Sequence, residues 1–301
     1  MPKAVVLTEY GPPEVLAWRD VPMPEPGPGQ VRVRVISAGV SPTDLKIRSG
    51  EVPFASPPDG VLGFEAAGVV DALGPSVTGV AEGDEVASLL LALGGYAEYA
   101  LASSWTPKPP KVTWGDAAGL PAAAEAAMGT LKQLRLAAGE TLLVLGAAGS
   151  VGMIATQLAV SRGAMVIGAV AVRDHELMRD LGVIPVNYGP DLAGRIREIV
   201  PSVDAVLDAA GRGGLSDAVE LAGGPARVIT LADERAADLG VVFSVGTPDR
   251  APEALDQTMP LLASGALRVR RQRHLPIERA AEAHRQLENG DVHEKFILDV
   301  P

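Results

Sequence analysis

The sequence predicts a two-domain α/β protein, in which a compact β domain accompanies a doubly wound parallel sheet. Two observations lead to this prediction. In the first third of the chain, short valine-rich runs are separated by glycine and proline, as in a small β domain. From Thr141 to about Phe243, apolar runs alternate with helical segments. Strands separated by helices pair in parallel and form a sheet with helices on both faces.

The first domain is predicted from its short apolar runs. Residues 31–36 begin by alternating valine with arginine, which indicates a half-buried strand. Further strands are predicted at 68–73, 85–89 and 97–100. The prolines at alternate positions of 22–28 indicate an extended surface connection between strands.

The pattern changes near Asp116, and an alanine-rich helix is predicted over 117–134, across the start of the second domain. Its strands are predicted at 142–145, 166–170, 205–207, 228–231 and 241–243, and its helices near 176–181, 192–200 and 215–221.

The end of the chain is expected to return to the first domain. A strand is predicted at 266–270, a helix at 277–288 and a final strand at 295–300. We therefore assign 1–120 and 265–301 to the first domain and 121–264 to the second, which suits a chain of 301 residues.

A glycine-rich turn carries the clearest functional signal. It follows the apolar strand 141–145 and precedes a helical segment at 153–162, and a second apolar run follows at 165–172. Such a strand, turn and helix hold the pyrophosphate of a dinucleotide, because glycine lets the backbone approach phosphate and the helix N-terminus attracts an anion. The alternative is a turn that needs small residues only for packing. The predicted cofactor-binding residues of the turn are Gly146, Ala148, Gly149, Ser150, Val151 and Gly152.

The composition excludes several classes of function. The net charge of −11 argues against nucleic acid or an anionic membrane as the main partner. The absence of cysteine excludes disulfides and thiolate chemistry. No apolar run approaches a membrane span, and the N-terminus lacks the core of a signal peptide, so we expect a cytoplasmic protein. The basic run 268–274 is interpreted as a solvated strand edge.

A hydrolase is the competing interpretation of the same turn. The segment 148–152 nearly matches the G-x-S-x-G pattern of a nucleophilic serine, with Ala148 in place of the first glycine. That nucleophile needs a positioned histidine, and none of the four histidines has a recognisable triad or metal-site context. We expect the histidines at surface or structural positions, and Ser150 against phosphate.

The chain resembles, over essentially its whole length, the zinc-independent quinone oxidoreductase branch of the medium-chain dehydrogenase/reductase superfamily. The matching segments are spread along the sequence: 3–7, 10–11, 24–31, 38–44, 62–70, 83–86, 94–99 and the glycine turn. The resemblance implies a GroES-like β-barrel catalytic domain, a Rossmann domain, and NADPH in the cleft between them. It also implies a small-molecule quinone or α,β-unsaturated carbonyl substrate and a homodimer, for which the run 241–245 is the expected contact.

No metal is expected. Related alcohol dehydrogenases place a cysteine where this chain has Ser41, and a His-Glu pair where it has Phe64-Glu65. Glu65 alone cannot supply three protein ligands to a catalytic zinc. Without a Lewis acid, an acceptor already activated by conjugation is favoured over an alcohol.

The cofactor is expected to be NADPH rather than NADH. The second strand of the Rossmann unit ends without the carboxylate that binds ribose hydroxyls in NAD enzymes. Arg173 and His175 are candidates for the 2′-phosphate, and Asp174 is expected to cap the following helix. The resemblance places Tyr188 at the adenine end and adds Phe243, Val245 and Lys295 as cofactor contacts. The alternative is an ordinary exposed Arg173 and a weak preference.

The catalytic candidates are Ser41, Asp44 and Lys46, on the segment that the family turns towards the nicotinamide. Lys46 is expected to stabilise a developing oxyanion, and Asp44 to anchor Lys46, hold the loop or cap a turn. Ser41, Ala126 and Glu294 depart from the usual family residues. Two alternatives therefore remain: an enoyl or alkenal reductase that tailors a biosynthetic product, and a non-catalytic NADPH-binding protein.

Overall fold

The computed structural model describes residues 1–52, 58–245, 250–290 and 292–301. The chain divides into two compact units. The first contains Met1–Ala122 and Leu255–Pro301, and the second contains Ala123–Ala254. The boundaries expected from the sequence, after 120 and after 264, lie two residues before the first junction and ten beyond the second. Within the described residues, no helix is long and apolar enough to cross a membrane.

The helices and strands are labelled in chain order. The leading segment contains β1 (Lys3–Leu7), β2 (Leu16–Asp20), β3 (Val31–Gly39), α1 (Pro42–Ser49), β4 (Glu65–Leu73), β5 (Glu85–Leu89), β6 (Tyr99–Ala102), β7 (Trp105–Pro107) and α2 (Trp114–Gly119). The middle segment contains α3 (Pro121–Gln133), β8 (Thr141–Leu145), α4 (Ser150–Ser161), β9 (Met165–Val170), α5 (His175–Asp180), β10 (Ile184–Asn187), α6 (Leu192–Arg197), β11 (Ala205–Asp208), α7 (Leu215–Leu221), β12 (Val228–Thr230) and β13 (Val242–Phe243). The last segment contains α8 (Ala254–Ser264), β14 (Gln272–Pro276), α9 (Ala280–Glu288) and β15 (Lys295–Asp299).

The first unit is built on a mainly antiparallel sheet with the strand order β14-β15-β3-β4-β5-β7, in which β6 also pairs with β3. Strands β1 and β2 form a separate antiparallel pair. Along β3, Val31, Val33 and Val35 are buried whereas the arginines between them are not, as the period-two pattern predicts. The C-terminal strand β15 pairs with β3 and thereby joins the end of the chain to this sheet.

The second unit contains a parallel sheet, whose strand order in the described residues is β10-β9-β8-β11-β12-β13. The chain moves outward from β8 in one direction and then crosses to β11 on the other side, so the order reverses between these two strands. All five residues of β8 are buried, as expected for a strand covered on both faces. This arrangement confirms the doubly wound α/β class, and the reversal is where such sheets bind ligands.

Two predicted elements differ from the structure. The strand predicted at 266–270 is wrong, because the strand that pairs with β15 is Gln272–Pro276 and its register begins with Gln272 opposite Lys295. The alanine-rich helix predicted over 117–134 is two helices, α2 and α3. Pro121 starts the second helix, where its missing N–H costs no helical hydrogen bond.

A buried ion pair joins two strands of the first unit. Glu65 begins β4, Lys295 begins β15, and the Lys295 ammonium is paired with Glu65 Oε1. The other carboxylate oxygen accepts a 2.9 Å hydrogen bond from the Ala122 amide at the start of α3. On the intervening strand, a Cβ at Gly39 would lie 2.3 Å from Glu65 Oε1. Only glycine leaves room for this pair.

We predict that breaking the pair is strongly destabilising. Lys295→Met leaves the Glu65 carboxylate buried without its cation, and we expect the free energy of unfolding to fall by about 3–5 kcal/mol. In Glu65→Gln/Lys295→Met neither position of the pair is charged, so part of the lost free energy of unfolding should be recovered. Urea denaturation followed by circular dichroism measures both changes.

Lys108→Met is the matched control. The Lys108 side chain is also buried, but its partner Glu85 is 46% exposed and remains solvated when the cation is removed. We expect a loss of about 1 kcal/mol or less from this exposed partner. Equal losses in the Lys295 and Lys108 variants would contradict the role given to the Glu65–Lys295 pair.

Candidate functional site

The turn between β8 and α4 has the open backbone that the glycine pattern predicts. Gly146 has φ of +83°, and its carbonyl accepts a 2.9 Å hydrogen bond from the Gly149 amide. A Cβ at Gly152 would lie 2.2 Å from the Gly146 oxygen, so glycine is needed for the helix to approach the turn. Gly149 is the N-cap of α4 and supplies no side-chain hydrogen bond to the first helical turn.

The same turn is accessible. Residues 148–151, which include the predicted Ala148, Ser150 and Val151, are partly exposed, whereas β8 before them is buried. The turn therefore presents the N-terminus of a 12-residue helix at the carboxyl end of β8, beside the reversal of strand order. Backbone N–H groups and the positive end of the helix dipole make this a suitable cradle for the pyrophosphate of a dinucleotide.

Tyr188 lies next to this turn. It follows β10 and is partly exposed, and the backbone of Gly146 lies close enough to act on its hydroxyl. Burial is the main cause that raises the pKa of Tyr188 to about 12, while the nearby charge of Arg212 acts in the opposite direction. The Arg195 guanidinium holds the segment that carries Tyr188, with bonds of 2.9 Å to the Asn187 oxygen and 2.8 Å to the Pro190 oxygen.

Arg173 and His175 lie at the start of α5, after the end of β9. Arg173 is 55% exposed, and its Nε is 3.8 Å from the carboxylate of Asp174. The helix begins at His175, as predicted, but Asp174 makes no side-chain capping bond, so the expected capping role is wrong. Val170, the last residue of β9, is apolar, and no carboxylate stands at this strand end.

Arg212 is a cation that the sequence analysis did not single out. It is exposed in a glycine-rich segment after β11, and its charge acts on Tyr188. The signal that could have identified Arg212 is its place in the sequence, shortly after β11, the strand that pairs with β8. The other predicted contacts of the second unit, Phe243 and Val245, are exposed at the terminal strand β13 and just beyond it.

Ser41 and Asp44 form a capping box at the start of α1. Ser41 Oγ donates to Asp44 Oδ2 at 2.8 Å, and the Ser41 amide donates to the same oxygen at 2.8 Å. The Gly63 amide donates to Asp44 Oδ1 at 3.1 Å. Asp44 has no exposed surface, so it acts on a ligand only through the partly exposed Ser41. Lys46 is half-buried on the same helix.

Burial raises the pKa of Asp44 to about 6, although its hydrogen bonds with Ser41 act in the opposite direction. Two charged residues on strands β15 and β4 also act on Asp44, since Lys295 lowers its pKa and Glu65 raises it. Asp44 is therefore a carboxyl group whose proton is held unusually firmly beside a serine hydroxyl.

Asp44 continues into a buried polar chain that the sequence analysis missed. Burial, and then the charge of Asp44, raises the pKa of Tyr96, and the Tyr96 hydroxyl lies 3.2 Å from His284 Nε2. Tyr96 and His284 have no exposed surface. Burial, and then the charge of Arg48, lowers the pKa of His284 to about 3. The sequence predicted a surface or structural position for His284. The structure places it in the interior against Tyr96, a partner that the sequence did not indicate.

A sequence signal for His284 exists in retrospect. Ala280, Ala283 and His284 are the buried residues of the amphipathic helix α9, at the spacing of one helical face. A histidine on the apolar face of such a helix is a candidate for a buried contact, although the pattern does not name its partner.

The residues at the position of the alcohol dehydrogenase zinc do not fit a zinc ion. Glu65 is engaged by Lys295 and the Ala122 amide, and Ser41 is engaged by Asp44. In the part of the chain that the structure describes, no group of three or more histidine, aspartate or glutamate residues has a metal-binding arrangement. Lys295, predicted as a cofactor contact, is the ion-pair partner of Glu65.

Two family models match the chain. Residues 27–110 match the alcohol dehydrogenase GroES-like domain, and residues 183–298 match a family described as zinc-binding dehydrogenase. The chain is 31% identical to the chloroplastic NADPH-dependent alkenal/one oxidoreductase of Arabidopsis thaliana, over 98% of this chain and 79% of that protein.

Quinone oxidoreductases are also similar to this chain. The Pseudomonas aeruginosa quinone oxidoreductase is 29% identical over 95% of this chain and 96% of its own length. The solved structure of the Coxiella burnetii quinone oxidoreductase superimposes with a TM-score of 0.87 at 29% identity, covering 100% of this chain and 99% of that chain. The chain therefore belongs to the medium-chain dehydrogenase/reductase superfamily, in its quinone oxidoreductase branch, and is an oxidoreductase with a GroES-like and a Rossmann-type domain.

Proposed function

We propose that this oxidoreductase is an NADPH-dependent, zinc-independent reductase that transfers hydride to a quinone or an α,β-unsaturated carbonyl compound. The observation that carries the proposal is the open glycine turn between β8 and α4, at the reversal of strand order in the parallel sheet. The similarity to quinone and alkenal/one oxidoreductases supports this choice of acceptor.

The second unit would hold the cofactor. The backbone of the turn, at Gly146, Ala148, Gly149, Ser150, Val151 and Gly152, would bind the pyrophosphate. Arg173, His175 and Arg212 would bind the 2′-phosphate, with Tyr188 against the adenosine. The missing carboxylate after β9 supports NADPH over NADH, because a carboxylate there would repel that phosphate. Phe243 and Val245 remain proposed contacts.

The first unit would supply the groups that stabilise charge on the acceptor. When bound, the nicotinamide supplies a hydride, and the conjugated acceptor gathers negative charge on its oxygen. Ser41 Oγ–H would donate to that oxygen, and Lys46 is a second proposed donor. When Asp44 is protonated, it donates to Ser41 across the 2.8 Å contact and leaves the serine proton for the acceptor. Conjugation spreads the charge onto the acceptor oxygen, where these donors would stabilise it without a metal ion.

An alkenal or enoyl reductase is the second candidate. The 31% identity to the alkenal/one oxidoreductase favours it specifically. The two candidates differ in the fate of the hydride, which stays on carbon in an alkene reductase and is not retained as a stable C–H bond in quinone reduction.

We predict that NADPH is oxidised by a conjugated acceptor. NADPH with deuterium at its transferable position would be offered, without oxygen, to 1,4-benzoquinone, 2-cyclohexenone and a crotonyl thioester. Carbon-bound deuterium in a product assigns alkene reduction, and rapid oxidation only by the quinone assigns quinone reduction. NADPH binding without oxidation by any of these acceptors would overturn the proposed function in favour of a non-catalytic protein.

We predict that Arg173 and Arg212 set the preference for NADPH. Arg173→Ala and Arg212→Ala each remove a cation proposed for the 2′-phosphate, so the Kd for NADPH should rise roughly tenfold, consistent with a charge-assisted hydrogen bond. The Kd for NADH should stay within about twofold. Arg179→Ala, an exposed arginine on the same helix as His175, is the control. Equal losses for both cofactors would place these arginines away from that phosphate.

We also propose a homodimer formed through β13. This strand ends the sheet, and Val242, Phe243 and Val245 are 54%, 40% and 62% exposed. An exposed apolar edge strand favours pairing with another copy. Val242→Lys should convert a dimer into a monomer in sedimentation velocity at micromolar concentration, because it brings like charges together. A wild-type monomer at that concentration would disprove the dimer.

A further inference from the structure

We propose that Ser41, Asp44, Tyr96 and His284 form a relay that delivers a proton to the reduced acceptor. This inference rests on the proposed function, since only a reduction that creates an anion consumes that proton. It assigns roles to Tyr96 and His284, which lie in the core of the first unit and cannot touch a substrate directly.

The relay follows a path of adjoining polar groups. Ser41 Oγ is 2.8 Å from Asp44 Oδ2, the charge of Asp44 acts on Tyr96, and the Tyr96 hydroxyl is 3.2 Å from His284 Nε2. Only Ser41 has exposed surface in this path. The four groups therefore connect a partly exposed hydroxyl with an imidazole in the protein interior.

Transfer towards Ser41 requires one set of bond directions. When the one proton of the Tyr96 hydroxyl is directed to the Asp44 carboxylate, the Tyr96 oxygen accepts from His284 Nε2–H. His284 Nδ1 is then an acceptor. Among the described residues, this buried nitrogen has no hydrogen-bond partner, and the same holds for Arg48 Nε and Nη1.

These orphaned atoms are complementary. The Arg48 charge acts on His284, which places the two side chains near each other, between α1 and α9. A water molecule that accepts from Arg48 and donates to His284 Nδ1 would satisfy both groups. Arg48 is ion-paired with Glu288, whose side chain is 38% exposed, so this end of the relay lies close to solvent.

The proton movement balances. Hydride from the cofactor carries both electrons to the acceptor, which becomes an anion. The Ser41 Oγ–H bond breaks as its proton goes to the acceptor oxygen, and the proton of Asp44 restores the serine. Tyr96 reprotonates Asp44. A solvent proton adds to His284 Nδ1 as Nε2–H reprotonates Tyr96, which leaves His284 as the neutral Nδ1–H tautomer. One solvent proton is consumed, and no residue is oxidised or reduced.

The protonation state of Asp44 decides whether the relay is loaded. When Asp44 is ionised, the Ser41 hydroxyl donates to it. When Asp44 carries a proton, it donates to Ser41 and frees the serine hydroxyl for the acceptor. Because the pKa of Asp44 is raised to about 6, the loaded fraction is high below this pH and falls as the pH rises through it. The groups that face this network from other elements are Lys295, Glu65, Tyr96, His284 and Arg48.

The test compares Tyr96→Phe and His284→Gln with the wild type. Phenylalanine breaks the path, whereas glutamine can still donate to Tyr96 but cannot pass a proton between two ring nitrogens. The turnover of 2-cyclohexenone with NADPH would be measured between pH 5 and pH 8, in water and in heavy water. We expect each variant to lose kcat by 10- to 100-fold with KM for NADPH within about twofold and to show a larger solvent isotope effect. The decline in kcat above about pH 6 should persist, because Asp44 and Ser41 are unchanged.

His274→Gln is the matched control, since His274 is a half-exposed histidine on β14 outside the relay. Circular dichroism and NADPH binding would establish whether each variant is folded. If Tyr96→Phe does not fold, His284→Gln still tests the relay. A wild-type kcat and a wild-type solvent isotope effect in the folded relay variants would overturn the relay alone. If the wild-type protein does not oxidise NADPH with any of the tested acceptors, the proposed function and the relay are overturned together.

Discussion

The buried pair of Glu65 and Lys295 is the constraint on which the first unit depends. It joins the starts of β4 and β15 across β3, where Gly39 leaves the space that the carboxylate occupies. The second oxygen of Glu65 holds the Ala122 amide, so the same carboxylate also fixes the beginning of α3. Removing one partner of a buried pair leaves an uncompensated charge, so the pair strongly favours the arrangement that keeps β4 and β15 on either side of β3. It also removes Glu65 as a free metal ligand.

The same pair connects the architecture with the chemistry. Lys295 and Glu65 act in opposite directions on the pKa of Asp44, and burial is the largest influence there. Asp44 in turn is hydrogen-bonded to Ser41, and its charge acts on Tyr96. A fully buried carboxyl, phenol and imidazole are costly unless each is satisfied, and the proposed proton relay gives these three groups a common role.

The second unit uses a different solution, in which backbone rather than side chains forms the site. The positive φ of Gly146 forms the turn after β8, and Gly152, which has no Cβ, lets α4 approach that turn closely. Arg195 fixes the neighbouring segment through its carbonyl groups, so that Tyr188 lies beside the turn. Arg212 lies at the edge of this site, where its charge acts on Tyr188, and Arg173 is exposed after the neighbouring strand β9.

The sequence by itself determined the α/β class, the parallel sheet and the nucleotide turn, because hydrophobic periodicity and glycine spacing act over a few neighbouring residues. It misplaced the strand at 266–270, because pairing with β15, not local apolarity, selects Gln272–Pro276. Only the tertiary structure decided that Lys295 faces Glu65 and that His284 faces Tyr96. These partners are 230 and 188 positions apart in the chain, and such distant contacts follow from how the strands and helices pack, which no local pattern encodes.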